Sequence, residues 1–134
     1  MNDALEQLVR QRAGDVCEYC GLPQRLSRLR LPVDHVVARQ HGGETTADNL
    51  ALACAFCNRH KGPNISGIDP VTKKFTRLIH PRLDVWSDHL RWDGLALAGL
   101  TELGRATIMV LVINNPGQIA IRDRLAEEGK FPFQ

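Results

Sequence analysis

Two C-x-x-C pairs constrain this chain more than any other feature. Cys17 and Cys20 form one, in "CEYCG"; Cys54 and Cys57 form the other, in "CAFCNRHKG". The 134 residues contain no further cysteine. A tight turn with this spacing aims two sulfurs at one point. Two such pairs, far apart in sequence, make a four-thiolate tetrahedral zinc site. Four thiolates complete the coordination and leave no position for substrate, so the zinc is expected to be structural. Two disulfides, free core cysteines and a redox C-x-x-C are the alternatives. Disulfides need an oxidising compartment, whereas the opening "MNDALEQLVRQRAGD" lacks the basic-then-apolar layout of a secretory signal. The expectation is a cytoplasmic location with reduced thiols. Structural zinc contributes an apparent ~10–16 kcal/mol to folding, which suits a first half with few large apolar residues.

The pairs also organise their surroundings. Leu5, Leu8, Val9 and Ala13 recur at helical spacing, which predicts a helix over 3–13 with Asp3 as its cap and Gly14 as its stop. "LRLPVDHVV" reads as a strand kept short by Pro32. "HGGETTADN" is a polar loop, "LALA" a second strand, and "CAFCNRHKG" a short helix ended by Gly62 and Pro63. In the second half, "IDPVTKKFTRLI" predicts a hairpin turning at Asp69 and Pro70, and "LALAGL" another strand. Thr101 is placed to cap a helix running to about Ile113, and Asn115–Pro116 to start a last one, ended by Gly129.

The fold class is therefore α+β, with residues 1–66 as the cysteine-bearing module and 67–134 as an extension packed on it, most simply as one compact domain. Phe75, Leu78, Ile79, Trp86, Leu90 and Trp92 are expected to cover a thin core, the tryptophans packing rather than stacking on bases. The later turns of the 102–113 helix are so apolar that they must be buried inside the domain or against another subunit. A homodimer is thus left open.

Charge alone says little about partners. The net charge is +2, too weak by itself to indicate nucleic acid. Locally, Arg25, Arg28, Arg30 and Arg39 face a single acid, Asp34. No apolar run approaches the ~20 residues of a membrane span.

Between the cysteine pairs, Asp34 and His35 stand side by side, Asn49 precedes the second strand, and Asn58 follows Cys57 directly. The pattern "CEYCG…VDHVVARQHGG…DNLALACAFCNRHKG" resembles the HNH (His-Asn-His) endonuclease family across residues 10–62, in order, spacing and residue type. The resemblance implies a ββα-metal, treble-clef-like module that hydrolyses DNA and leaves 5′-phosphate and 3′-hydroxyl ends. It implies that Asp34 and Asn58 hold a catalytic divalent cation, that His35 is the general base, and that Asn49 braces the loop holding His35. Asn58 stands where the name-giving pattern has histidine. An all-oxygen pair suits Mg²⁺ or Mn²⁺ better than Zn²⁺. Arg39, Arg59, His60 and Lys61 are the candidate backbone contacts to nucleic acid, with His60 facing away from Asn58 and His41 serving its own loop. The stretch from "GIDPVTKKF" to "IMVLVINN" looks like an extension found on one group of small HNH proteins. Two other readings stay open: a catalytically lapsed, zinc-containing nucleic-acid-binding module, and a nuclease acting on RNA.

Overall fold

Asn2 opens the first helix. Its side-chain oxygen accepts a hydrogen bond from the Leu5 amide at 2.8 Å, so Asn2, and not the expected Asp3, caps α1 (Asp3–Ala13). Gly14 ends α1 with φ at +64°, a conformation that costs a glycine little. The structure, a computed structural model, describes residues 1–133.

The first sheet is a hairpin of β1 (Val33–His35) and β2 (Leu50–Leu52), antiparallel with Asp34 opposite Ala51 and His35 opposite Leu50. It is shorter than "LRLPVDHVV" suggests. Pro32 has no N–H to extend the ladder, although its carbonyl still accepts from Ala53 N at 3.0 Å. Every residue of β2 is buried, and α1 packs on it. Each buried leucine there contributes about 1.5–3 kcal/mol. The loop between the strands condenses into two 3-10 turns, Arg39–His41 and Ala47–Asn49. The helix α2 (Ala55–Lys61) follows β2, capped by Cys54 Sγ, which accepts from Cys57 N at 3.3 Å, and Gly62 follows its last turn. The chain thus runs strand, strand, helix between the two cysteine pairs and Gly62.

In the second half, β3 (Ser66–Ile68) and β4 (Phe75–Arg77) form the expected hairpin. Asp69, fully buried, organises its turn. The carboxylate accepts from Val71 N, Thr72 N and Thr72 Oγ1, and Arg105 grips both oxygens at 2.9 and 2.8 Å. After α3 (Trp86–His89) comes a second hairpin, β5 (Leu90–Asp93) and β6 (Ala96–Gly99). Thr101 Oγ1 accepts from Gly104 N at 3.1 Å and caps α4 (Glu102–Leu111). The helix stops two residues before Ile113, because Val112 turns left-handed at φ 52°. The last helix, α5 (Pro116–Glu127), starts at Asn115, whose side chain accepts from Gln118 N at 2.9 Å.

α4 is the central post of the second half, packed against α2, β3, β4 and β6. A side chain at Gly104 would put its Cβ 2.0 Å from the His89 carbonyl oxygen, so this close approach requires glycine. Thr107 Oγ1 accepts from Ile79 N and donates to Leu103 O, which joins α4 to the irregular segment that follows the β3–β4 hairpin. One buried cluster runs from Val9 and the four cysteines to Leu111 and Ile113, so both halves contribute to a shared core. Leu78, Ile79 and Leu90 are buried in it, and Trp86 and Trp92 pack against it. Phe75 departs from expectation at 77 % exposed. Alternation along β4 sends Thr76 inward instead. The described residues make an α+β fold of five α-helices and three two-stranded antiparallel sheets. None of these helices is long and apolar enough to cross a membrane.

Candidate active site and metal centre

Cys17, Cys20, Cys54 and Cys57 are all buried, and their sulfurs lie within 4.8 Å of one another. Cys20 and Cys54 bring their sulfurs to 3.7 Å. Four sulfurs at ~2.3 Å from a tetrahedral ion stand about 3.8 Å apart, so the cluster has the size and the soft donors for such an ion. Each turn is closed by its own sulfur: Cys17 Sγ accepts from Cys20 N, and Cys54 Sγ from Cys57 N. Hydrogen bonds from Cys17, Cys20 and Cys57 pull the Cys54 thiol far below its ordinary range.

The first pair carries a side chain with a second task. Tyr19, 1 % exposed, donates its hydroxyl to Asp34 Oδ2 at 2.8 Å. Burial, and next the charge on Asp34, push the phenol well above its usual range, so it stays protonated and donates. Asp34 is itself 5 % exposed. Lys61 Nζ approaches the same carboxylate, 3.1 Å from Oδ2 and 3.4 Å from Oδ1, and lies 3.1 Å from the His35 carbonyl oxygen. Burial raises Asp34 above the ordinary carboxylate range, while the Lys61 charge and the Tyr19 and Lys61 hydrogen bonds oppose it.

Residues 33–35 keep regular register with β2, so Asp34 and His35 leave the strand on opposite faces. Asp34 points in towards Tyr19 and Lys61. His35 is half-buried, with Nε2 2.9 Å from Thr45 Oγ1 in the loop. That loop is fastened by Asn49. Its Oδ1 accepts from Val37 N at 2.9 Å, and its Nδ2 donates to Val37 O at 3.0 Å and Glu44 O at 2.9 Å. Gly43 passes so close that a Cβ there would lie 1.7 Å from Val37 O. The glycine is required for this approach, and Asn49 spans the same two backbone segments.

α2 supplies the other side. Asn58 is half-buried and stands three residues before Lys61. Positions three apart share a helix face, and Lys61 reaches both Asp34 and the His35 carbonyl, which sets the last turn of α2 against β1. Arg39 and Arg59 are exposed, Arg59 lying 5.9 Å from the Phe56 ring centroid. His41 is exposed in its loop. His60 folds back on its own helix, Nδ1 2.9 Å from Phe56 O and its ring 4.0 Å from that of Phe56. Lys61 corrects the expectation of a surface cation. It is 1 % exposed and ion-paired, so it is not available to grip a phosphate.

Sequence reasoning missed Tyr19 and the inward course of Lys61. A lysine four residues after a buried cysteine, on one helix face with it, was the available signal.

The family model described as HNH endonuclease matches residues 17–64. Among curated proteins, none matches the chain. The matched segment is the one that carries the four cysteines, Asp34, His35, Asn49 and Asn58.

Proposed function

We propose that the chain is a metal-dependent endonuclease that hydrolyses DNA phosphodiester bonds, built as a zinc-stapled ββα module with an extension. The observation that carries this reading is the reach of Lys61 to both Asp34 and the His35 carbonyl. It sets the last turn of α2, which ends three residues after Asn58, against the strand bearing Asp34 and His35, and this supports the reading. The four cysteines would hold a structural zinc, which locks the turn before β1 to the start of α2.

Asp34 and Asn58 are the residues proposed to hold Mg²⁺ or Mn²⁺. A carboxylate offers about four acceptor positions; Tyr19 and Lys61 together occupy fewer, mostly on Oδ2. A hard divalent ion at such oxygens acts as a Lewis acid on the phosphate and stabilises the leaving 3′-oxygen. His35 is the proposed general base, since an imidazole is suited to take a proton from water at neutral pH. Asn49 does no chemistry; by fastening Val37 and Glu44 it fixes the loop that carries the Thr45 partner of His35. Arg39 and Arg59, both exposed, are the proposed contacts to the backbone.

The buried Asp34–Lys61 pair favours one second reading. In it Asp34 serves only as counter-ion to Lys61, and the domain holds nucleic acid without cutting it. The two are separated by incubating supercoiled plasmid, and in parallel a single-stranded RNA, with the zinc-loaded protein in Mg²⁺, in Mn²⁺ and in excess chelator. The nuclease reading expects open-circle plasmid with 5′-phosphate ends only where a divalent ion is present. Plasmid that is bound but never nicked supports the second reading, and RNA cut in preference to DNA changes the substrate.

A further inference from the structure

The residue between the first two cysteines that reaches furthest is Tyr19. It belongs to the turn that the sulfur centre closes, and it is fully buried. Its backbone carbonyl accepts from Trp86 Nε1 at 2.8 Å, so the extension fixes its main chain as well. Its hydroxyl ends on Asp34 Oδ2 at 2.8 Å. A phenol held at both ends in this way is a rigid rod between the metal-bearing turn and one carboxylate. Lys61 approaches that carboxylate on Nζ, but a lysine reaches its partner on a flexible four-carbon stem. The rigid partner is the one that can set the direction of the oxygens.

We propose that Tyr19 is a positioning residue: its hydroxyl orients Asp34 for the catalytic cation, and so couples the sulfur centre to the oxygen centre through a single side chain. This rests on the reading of Asp34 as a cation ligand. Hydrogen-bond partners of metal-binding carboxylates commonly matter 10–100-fold for metal affinity or activity. Tyr19→Phe removes the hydroxyl and leaves the buried ring in place, so packing on the core is retained.

The test uses the full chain with its zinc, and Mn²⁺ binding followed by the paramagnetic resonance signal of the free ion, so no turnover is needed. Wild type, Tyr19→Phe, Asp34→Asn, the double variant and Asn58→Ala are compared, with zinc content and far-ultraviolet circular dichroism as controls on the fold. The expected result is Mn²⁺ binding weakened about 10-fold or more in Tyr19→Phe, with zinc content unchanged. In the Asp34→Asn background the tyrosine substitution should have no further effect, because it acts through that carboxylate. Asn58→Ala should weaken Mn²⁺ binding and reports on the cation site if Asp34→Asn does not fold. If Asp34→Asn, or Asn58→Ala in its place, weakens Mn²⁺ binding while Tyr19→Phe leaves it unchanged, Tyr19 has no such role although the cation site stands. If neither Asp34→Asn nor Asn58→Ala alters Mn²⁺ binding, the cation-ligand reading itself fails, and the proposal with it. Loss of zinc or of fold in Tyr19→Phe also overturns the proposal, since the hydroxyl would then be holding the turn.

Discussion

Lys61 Nζ lies 3.1 Å from Asp34 Oδ2, and both side chains are almost wholly shielded from solvent. The pair joins the last turn of α2 to β1 across the core of the matched segment. Removing one member of a buried ion pair strands the other charge and costs about 3–5 kcal/mol. Lys61→Met is therefore expected to lower stability by that order, measured as a shift in the denaturant midpoint. Asp34→Asn combined with Lys61→Met should lose less than the two single losses added together, because the charges then leave as a pair.

With zinc bound, the sulfur cluster would carry more of the fold than any ion pair. An apparent ~10–16 kcal/mol from structural zinc matches or exceeds the about 5–15 kcal/mol by which whole domains are stable. Stripping the metal with a strong chelator, or substituting Cys54→Ser, is expected to unfold the chain. Trp86 reports it directly, since its indole donates to the carbonyl of Tyr19 inside the first cysteine turn. Its fluorescence should shift as metal leaves and return when Zn²⁺ is restored.

The loop behind His35 depends on two residues that cannot be exchanged freely. Asn49→Ala removes three side-chain hydrogen bonds to backbone, each worth about 0.5–1.5 kcal/mol net. Amide exchange at Val37 and in the Glu44–Thr45 stretch should accelerate, with little change in α4. Gly43→Ala should do the same for a different reason, because its Cβ would collide with Val37 O.

Asp84 contributes to the pH dependence of the extension. Arg77 donates to both its oxygens at 2.8 Å, and this, ahead of all else, holds its carboxyl down at about 2. An unfolded aspartate titrates near ~3.9. The folded value is the lower one, so the stabilisation is fully present above about pH 4 and is lost as the pH falls through about 2. Arg77→Met should be less stable than wild type at pH 7, and the gap between the two should close as unfolding is followed down to pH 2.

Much of this fold is legible in the sequence. The cysteine spacing announced the sulfur cluster. Gly14, Thr101 and Asn115–Pro116 marked helix ends, because caps and stops are set by local backbone chemistry. Asp69 and Pro70 marked the hairpin turn. What stayed hidden was tertiary. Lysine is seldom fully buried, so Lys61 read as a surface cation until its partner was seen. Tyr19 carries no local signal of its role, since nothing in the C-x-x-C turn says that its hydroxyl ends at residue 34. Phe75 read as core from its size alone, whereas the strand period gave the inward position to Thr76.

The central claim, that His35 acts as base on a scaffold held by sulfur-bound metal, is tested most directly by the nicking rate of His35→Ala. Wild type and variant are given the same supercoiled plasmid in Mg²⁺ or Mn²⁺, after their zinc contents are shown to be equal. The account predicts that wild type converts plasmid to open circle and that the variant does so about 10²–10⁴-fold more slowly, with its zinc and its fold intact. A variant that nicks as fast as wild type would contradict it.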